Sequence, residues 1–395
     1  MLLPKTYARA RLFLGMSGVG LFVVLSVLAL WFGWPRLYLP GSDASVAHEV
    51  GALAALLGIY LLISLPLDWL GGYFLPKWYG RRSQSFERFL AGWFSGALVH
   101  GGLLLLIAIA LLLAGKTGGT GRALVVVAGA MGLLLLLQER TASLVGNLRE
   151  RESRGDVSRV KQLLRRWGVR PLVPVRVYAS RDEGFTGGIV GLPGRERIVL
   201  PRHWFHEFDM ETMALVLARR TALVREGAGR TLGVAVAFGW NLIGFALVAN
   251  LVPGAGVGSV AELAALALGF TLWCFLGLLT LPSLSRYGVF AADRVAARYN
   301  SNGRLEAAVR ALDKMQDDEP RRPPLVETIF HPLPSVESRL SRLATSRGST
   351  PAGGMSPWNA ARLSLYLSWA GLGLLSRAVH CNAGRPDLWV HLPVD

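Results

Sequence analysis

The sequence is poor in cysteine and in acidic residues. Its two cysteines, Cys274 and Cys381, are far apart and form no CxxC pair. They exclude a disulfide framework and a cysteine-based metal site. The 26 acidic residues are outnumbered by 42 lysines and arginines, which gives a net charge of +16. Because the basic residues accompany no recognisable nucleic-acid-binding module, we predict no nucleic-acid partner.

Charged residues are also scarce overall, at 17% of the chain, and long stretches have almost none. Most of these apolar runs approach the roughly 20 residues that a membrane-spanning helix needs. Six runs stand out, at 12–34, 50–70, 90–114, 123–137, 231–252 and 261–281. A shorter run at 363–375 is a candidate for a seventh span or for a helix in the membrane interface. We expect an all-α polytopic membrane bundle with six or seven spans, surrounded by membrane lipid.

The basic residues are concentrated in alternate connections between the runs. Lys5, Arg9 and Arg11 precede the first run, and basic segments cover 77–88, 139–230 and the chain after 284. Cytoplasmic loops of membrane proteins are enriched in lysine and arginine. We therefore expect a protein of the bacterial inner membrane whose N-terminus and central soluble domain are cytoplasmic. The first run lacks small cleavage-site residues, which indicates a retained signal anchor.

The soluble segment between the fourth and fifth runs mixes two patterns. Residues 175–178 and 197–200 alternate like strands and are separated by a glycine-rich connection, whereas the flanking stretches have helical spacing. We expect a small α+β cytoplasmic domain inserted into the bundle. The predicted divisions are a four-span domain at 1–138, the α+β segment at 139–230, two spans at 231–283, a cytoplasmic helical segment at 284–344, and a linker with an apolar helix or span at 345–395.

Three stretches of the chain have, in order, the pattern of a known family. At 216–223 the sequence is VLARRTAL, and at 285–299 it is SRYGVFAADRVAARY. These two stretches resemble the V-L-A-H-E-x-G-H and E-x-x-x-D helices of the M48 membrane metalloproteases, which include the CAAX prenyl proteases and HtpX. A third stretch resembles the CAAX prenyl proteases through Leu65, Pro66, Tyr79, Gly80, Ser83, Gln84, Ser85, Phe89 and Leu90.

The resemblance implies a zincin-like domain whose chemistry is missing. In the family, two histidines and a glutamate bind Zn²⁺ while a second glutamate activates water. The matching positions here hold Arg219, Arg220, Leu223 and Val289. A guanidinium group only donates hydrogen bonds, and aliphatic side chains offer no lone pair. We therefore expect no zinc and no other cofactor.

Two residues match groups that assist the metal centre of the family. Asp293 corresponds to an aspartate that orients a zinc-binding histidine, and His331 corresponds to a histidine that assists the reaction. We hypothesise that Asp293 forms a salt bridge with Arg219 or Arg220 where zinc would lie. Arg339 follows His331 by eight residues rather than the family's six, which argues against a role for Arg339 in the site.

Two further candidate sites lie just before the arginine-containing helix. The glycine-rich connection matches the family loop that cradles a peptide beside an edge strand, with candidate residues Gly184, Phe185, Thr186, Gly187 and Gly188. His203, His206 and Glu207 form an HxxHE cluster that could supply a relocated zinc site.

These observations favour a catalytically inactive M48-like membrane protein that binds a partner in an inherited chamber. The partner would be a peptide, a lipidated segment or another membrane protein. The first alternative is an active membrane metalloendopeptidase with zinc at His203, His206 and Glu207. The second alternative is a membrane transport or scaffold protein.

Overall fold

The computed structural model describes residues 4–81, 84–146, 148–151, 154–169, 173–180, 182, 184–225, 229–299, 303–316, 319–345 and 356–390. These ranges omit residues 346–355, which belong to the predicted linker, and Ser83 of the family pattern. The first part of the chain is helical, with α1 at Tyr7–Trp31, α2 at Trp34–Tyr38, α3 at Val46–Trp69, a π-helical stretch at Leu70–Phe74, α4 at Leu75–Trp78, α5 at Phe86–Leu136 and α6 at Gln138–Val145.

The central part forms the predicted small α+β unit. Its elements are β1 at Arg149–Glu150, α7 at Arg154–Arg166, β2 at Val175–Ala179, β3 at Gly188–Val190, β4 at Arg197–Pro201, α8 at Trp204–Glu207 and α9 at Met210–Arg225. The strands form one sheet in the order β1-β2-β4-β3. Strands β2 and β4 are parallel, and the other pairs are antiparallel. Helix α7 packs on α9 beneath this sheet.

The remaining chain returns to helices. They are α10 at Gly229–Leu251, α11 at Val260–Ala297, α12 at Arg304–Met315, α13 at Pro324–Phe330, α14 at Val336–Thr345, α15 at Ala360–Leu367 and α16 at Pro386–Val390. Short 3₁₀ turns at Ser368–Gly371 and Leu375–Arg377 connect α15 to α16.

Five helices of the described chain are long and apolar enough to cross a membrane. They cover Tyr7–Trp31, Val46–Trp78, Phe86–Leu136, Gly229–Leu251 and Val260–Ala297. Helix α5 is 51 residues long and is interrupted at Gly118 and Gly119 by non-helical backbone angles. That break separates the third and fourth apolar runs of the sequence. The six predicted runs therefore lie in five helices, of which α5 holds two runs. The chain is an integral membrane protein.

Short polar side chains mark where several of these helices begin. The hydroxyl groups of Thr6, Ser45, Ser85 and Ser259 accept hydrogen bonds from the backbone amides three residues later. Such N-caps satisfy amides that have no partner within the helix. The same serine and threonine positions therefore end the loops and begin the long apolar helices α1, α3, α5 and α11.

The run at 363–375 is not a seventh span. It forms the eight-residue helix α15 followed by 3₁₀ turns, and its side chains are buried inside the protein rather than facing lipid. Helix α15 packs between α5, α10 and α11. The apolar character of this run therefore reflects burial in the centre of the bundle.

The whole C-terminal segment at 356–390 fills the interior of the bundle. Trp369 and Trp389 are at most 1% exposed. The segment also comes very close to surrounding backbone: a Cβ atom on Gly15 of α1 would lie 2.4 Å from the backbone nitrogen of His380. A Cβ atom on Gly72 would lie 2.1 Å from the carbonyl oxygen of Gly384. Glycine at these positions allows the direct contact, and the segment occupies the place where a chamber was expected.

A buried ion pair joins this segment to the end of α3. Arg377 donates to the carboxylate of Asp68, which also accepts from the indole of Trp93 at 2.8 Å and from the backbone amide of Gly384 at 2.7 Å. The Arg377 guanidinium stacks 4.2 Å from the ring centre of Trp389. Both charged side chains are at most 2% exposed. The pair holds the C-terminal segment in the bundle.

We expect Arg377→Met to lower the free energy of unfolding by about 3–5 kcal/mol, because it leaves the Asp68 carboxylate buried without its cation. The measurement is a denaturant titration of the full chain in detergent micelles. Arg140→Met changes an exposed arginine and serves as the control, which should differ from the parent protein by less than about 1 kcal/mol. Equal stability of the two variants would contradict this assignment.

Candidate active site and its ion cluster

Helices α9 and α11 bring Arg219 and Asp293 together. Helix α9 begins after Asp209, whose carboxylate accepts from the backbone amide of Thr212 at 2.7 Å. Two turns later, the Arg219 Nε donates to the Asp293 Oδ1 at 2.5 Å. Both side chains are only 1% exposed. The salt bridge predicted from the sequence is therefore present, and it involves Arg219 rather than Arg220.

A second arginine from α14 binds the same carboxylate. The Arg339 Nε donates to the Asp293 Oδ2 and the Arg339 Nη2 donates to the Oδ1, each at 2.8 Å. This two-pronged geometry is the strong form of an arginine–carboxylate contact. The spacing argument against Arg339 was wrong, because the contact depends on where α14 packs rather than on its distance from His331 along the chain. Arg219, Asp293 and Arg339 are called the ion cluster below.

The other two positions matched to the family's metal-binding residues are aliphatic and lie next to the ion cluster. Leu223 is one helical turn beyond Arg219 on the same face of α9, and Val289 is one turn before Asp293 on the same face of α11. Both are at most 4% exposed and belong to one apolar cluster with Val216 and Ala292. The facing surfaces of the two helices therefore consist of an ion cluster at one level and aliphatic packing at the next.

Arg220 points away from the ion cluster towards the sheet. Its Nη1 donates to the carbonyl oxygen of Val199 at 2.8 Å and its Nη2 to that of Thr186 at 2.6 Å. The guanidinium also lies over the ring of Trp204, 4.8 Å from its centre. Arg220 is fully buried. Arg220 therefore joins β4 to the glycine-rich loop. In the family that the sequence resembles, this position of the helix holds the general base.

These side chains do not suit a zinc ion. Within the ion cluster only Asp293 has lone pairs to offer, and both of its oxygens already accept hydrogen bonds from arginines. Zinc needs three or four nitrogen, sulfur or oxygen ligands, and a nearby guanidinium repels it. In the described ranges, no group of three or more His, Cys, Asp and Glu residues is arranged to hold a metal.

The alternative zinc site at His203, His206 and Glu207 lies within the described ranges. His203 is half-buried at the start of α8, and His206 and Glu207 are exposed at its end. They do not form a metal-binding group. Glu207 instead lines a cavity beside the loop at 184. The structure gives the relocated zinc site no support.

The predicted peptide cradle is closed. Gly184, Phe185, Thr186, Gly187 and Gly188 are all buried. Gly187 has a φ of +72°, and a Cβ atom there would lie 2.1 Å from the carbonyl oxygen of Val199, so the loop lies directly against β4. The adjoining β3 is an edge strand of the sheet, but its residues are buried as well. A peptide could pair with β3 only after this loop had moved.

His331 lies outside the ion cluster. It is buried beside His380, with ring centres 5.0 Å apart. Its pKa lies well below the usual range, because burial disfavours the imidazolium and because Arg322, Arg362 and Arg286 repel a further positive charge. His331 therefore belongs to a separate basic region near the start of α1.

A large cavity lies beside the glycine-rich loop. It has a volume of about 550 Å³ and is lined in part by Gly184, Glu207 and residues of α4, α5 and the C-terminal segment. Tyr7, Phe89 and Trp93 supply an aromatic wall. The charged lining side chains are Arg81, Arg88, Asp182, Glu207, Lys314, Arg385 and Asp387. The sequence analysis missed this site, because its residues come from distant parts of the chain.

Two carboxylates in this cavity have opposite pKa shifts. Burial by itself raises the pKa of Asp182, but the bidentate contact from Arg385 at 2.6 Å outweighs that effect and lowers it. Burial and the negative charge of Asp182 raise the pKa of Asp387 to about 7. The Ser180 hydroxyl donates to Asp387. The cavity therefore contains a fully charged carboxylate next to one that is partly protonated near neutral pH.

Comparison with known proteins shows a similarity of fold. No family model and no curated protein match the chain. Among solved structures, the crystal structure of Ste24p from S. mikatae has a TM-score of 0.61 at 17% sequence identity, covering 82% of this chain and 80% of that chain. The chain has the fold of Ste24p. Because Ste24p is a CAAX prenyl protease of the M48 family, the family resemblance seen in the sequence is confirmed at the level of the fold.

We expect Asp293→Asn to lower the free energy of unfolding by about 3–5 kcal/mol, because two arginines would remain buried without their anion. Replacing all three members of the ion cluster by apolar residues, with Arg219→Met, Asp293→Leu and Arg339→Met, should restore most of the loss. Denaturant titration in detergent micelles measures both effects.

The matched control is Asp209→Asn, which breaks the exposed ion pair with Arg304. Exposed pairs contribute at most about 1 kcal/mol. A loss as small for Asp293→Asn as for Asp209→Asn would show that the ion cluster does not hold the three helices together.

Proposed function

We propose that this protein is a catalytically inactive M48 peptidase-like protein of the bacterial inner membrane that acts by binding a polypeptide partner. Its N-terminus and α+β unit face the cytoplasm. The partner is a peptide, a lipidated segment or another membrane protein.

The ion cluster is the observation that carries this proposal. Hydrolysis by a zinc peptidase needs a metal to polarise the carbonyl group and a general base to deprotonate water. Arg219 supplies a fixed positive charge to Asp293 but cannot bind water as a Lewis acid. Arg220 is permanently protonated and donates to two backbone carbonyls, so it cannot accept a proton. Neither Arg219 nor Arg220, at the positions matched to the family's zinc ligand and general base, can perform these steps.

The position of the C-terminal segment favours a binding role over a catalytic one. The segment fills the bundle interior, where a substrate chamber was expected, and it is held there by the Asp68–Arg377 pair. A cavity of about 550 Å³ lies beside this segment and Gly184. It combines an aromatic wall with charges of both signs, which suits a polypeptide segment better than an acyl chain.

The proposed orientation follows the distribution of basic residues. The 550 Å³ cavity lies near the start of α1, the start of α5 and α12, which are the regions where arginine and lysine are concentrated. Under the positive-inside rule this end of the bundle is cytoplasmic. A partner would therefore reach the cavity from the cytoplasm.

The loss of catalysis predicts that the purified chain contains less than about 0.1 zinc per molecule and cleaves no peptide above the buffer rate, since structural and catalytic zinc sites need three or four ligands. Elemental analysis and a quenched fluorescent peptide library measure these two properties. Stoichiometric zinc, or cleavage abolished by a chelator, would contradict the proposal.

A restored variant tests the assignment of positions separately. Arg219→His, Arg220→Glu, Leu223→His and Val289→Glu together place two imidazoles and two carboxylates on the facing surfaces of α9 and α11. We expect this variant to bind zinc near one equivalent. The matched control has the same changes at positions 219, 220 and 223, but carries Val289→Gln in place of Val289→Glu. It lacks one ligand, which should weaken zinc binding by about 10-fold or more. Similar zinc contents in the two variants would argue against the alignment.

Partner binding predicts site-specific crosslinking from the 550 Å³ cavity. A photoreactive phenylalanine at Gln84, which lines this cavity, should give one adduct of discrete mass in native membranes. The control position is Leu98, which is exposed on α5 and is expected to face lipid. Discrete adducts from both positions, or from neither, would contradict a partner site at this cavity.

A further inference from the structure

A second cavity lies between α1, α11 and the C-terminal segment, and it has a charged part and an apolar part. The charged part has a volume of about 460 Å³ and the apolar part about 290 Å³. The two parts share six lining residues, namely Leu12, Met16, Pro332, Arg362, His380 and Cys381. They therefore adjoin each other, as the charged and apolar compartments of an amphipathic cavity.

The charged compartment is strongly basic. Its ionisable lining side chains are Arg9, Arg11, Arg322, Arg362, Arg385, His331 and His380, with Glu319 as the carboxylate among them. Glu319 pairs with Arg9, and Arg385 pairs with Asp182. Among the described lining residues, basic side chains outnumber carboxylates.

Arg362 is the cation best placed for a ligand. Its Nη1 donates to the Sγ of Cys381 at 3.5 Å, a weak acceptor, and no carboxylate of the described residues pairs with it. Its Nε is buried without a hydrogen-bond partner among those residues. Arg362 is half-buried. A guanidinium group in such a place, with no carboxylate partner among the described residues, is well suited to donate to an anionic oxygen.

The lining changes from charged to apolar along α1. The charged compartment includes Ala8, Arg9 and Arg11, and the apolar compartment extends to Val19 and Gly20. From residue 8 to residue 20 a helix rises roughly 18 Å. One leaflet of the hydrocarbon core is about 15 Å deep. The polarity of the cavity therefore follows the same profile as a phospholipid, with charge near the interface and hydrocarbon deeper.

We propose that this cavity binds one anionic phospholipid, with its phosphodiester group beside Arg362 and His380 and one acyl chain along α1 towards Gly20. Basic pockets between membrane helices suit anionic headgroups. Leu278 and Leu279 of α11, with Leu365 and Val379 of the C-terminal segment, form the wall for the chain. The lipid would join α1 to the C-terminal segment. This proposal is independent of the partner site and of catalytic inactivity.

The test measures lipid binding to the delipidated full chain by native mass spectrometry in detergent. The probes are palmitoyl-oleoyl phosphatidylglycerol, the corresponding phosphatidylcholine and inorganic phosphate as a competitor. We expect one tightly bound phosphatidylglycerol, at least about fivefold preferred over phosphatidylcholine, because one basic residue near an anionic headgroup contributes about that factor.

Two variants test the two compartments separately. Arg362→Gln should weaken phosphatidylglycerol binding about fivefold. Gly20→Leu should weaken it about 10-fold or more, because the new side chain would occupy the acyl-chain compartment. A Cβ atom on Gly20 meets no atom within 4 Å, so this variant should fold normally, and its thermal unfolding midpoint should match that of the parent protein.

The controls change the same residue types elsewhere. Arg310→Gln replaces an exposed arginine on α12, and Gly102→Leu adds the same side chain on α5, where a Cβ atom also meets nothing within 4 Å. Both should bind phosphatidylglycerol like the parent protein. Equal binding of the two phospholipids, or equal affinity in test and control variants, would overturn the proposal. Displacement by phosphate without any effect of Gly20→Leu would also overturn it, since that pattern indicates a free-phosphate site.

Discussion

The carboxylate of Asp293 is the point at which the three helices α9, α11 and α14 are joined. It accepts from Arg219 of α9 and from Arg339 of α14, and it is carried by α11, the longest helix after α5. Two cations share one anion in a place that water does not reach, so the three groups must stay together. In a metal site, a carboxylate at this position would orient a ligand of a divalent ion. Here guanidinium groups that belong to the protein neutralise it.

The second constraint is the buried ion pair between Asp68 and Arg377. These residues are 309 positions apart in the chain, yet they connect the end of α3 to the C-terminal segment. Glycines such as Gly15 and Gly72 allow that segment to contact the helices directly. Two of the cavities beside it lie under the glycine-rich loop and next to α1. The proposed partner and lipid sites both lie next to the C-terminal segment.

The sequence predicted much of the architecture and part of the site. The apolar runs, the small α+β unit and the Asp293–Arg219 contact were expected, and the fold of Ste24p agrees with the family resemblance. Two expectations were wrong. The spacing from His331 argued against a role for Arg339 in the site, and the run at 363–375 was interpreted as a span or an interfacial helix. In both cases the deciding factor was packing against distant elements, which spacing along the chain does not describe.

The sequence by itself determined the membrane helices and the chemistry that is missing from the site. Hydropathy and N-caps act over a few residues, and a guanidinium or an aliphatic side chain lacks a lone pair in any surroundings. The tertiary structure alone decided which arginine neutralises Asp293 and where residues 356–390 lie. It also decided which cavities remain. The reason is that a buried charge selects its partner by proximity in space, and those partners come from elements 46 to 309 residues apart in the chain.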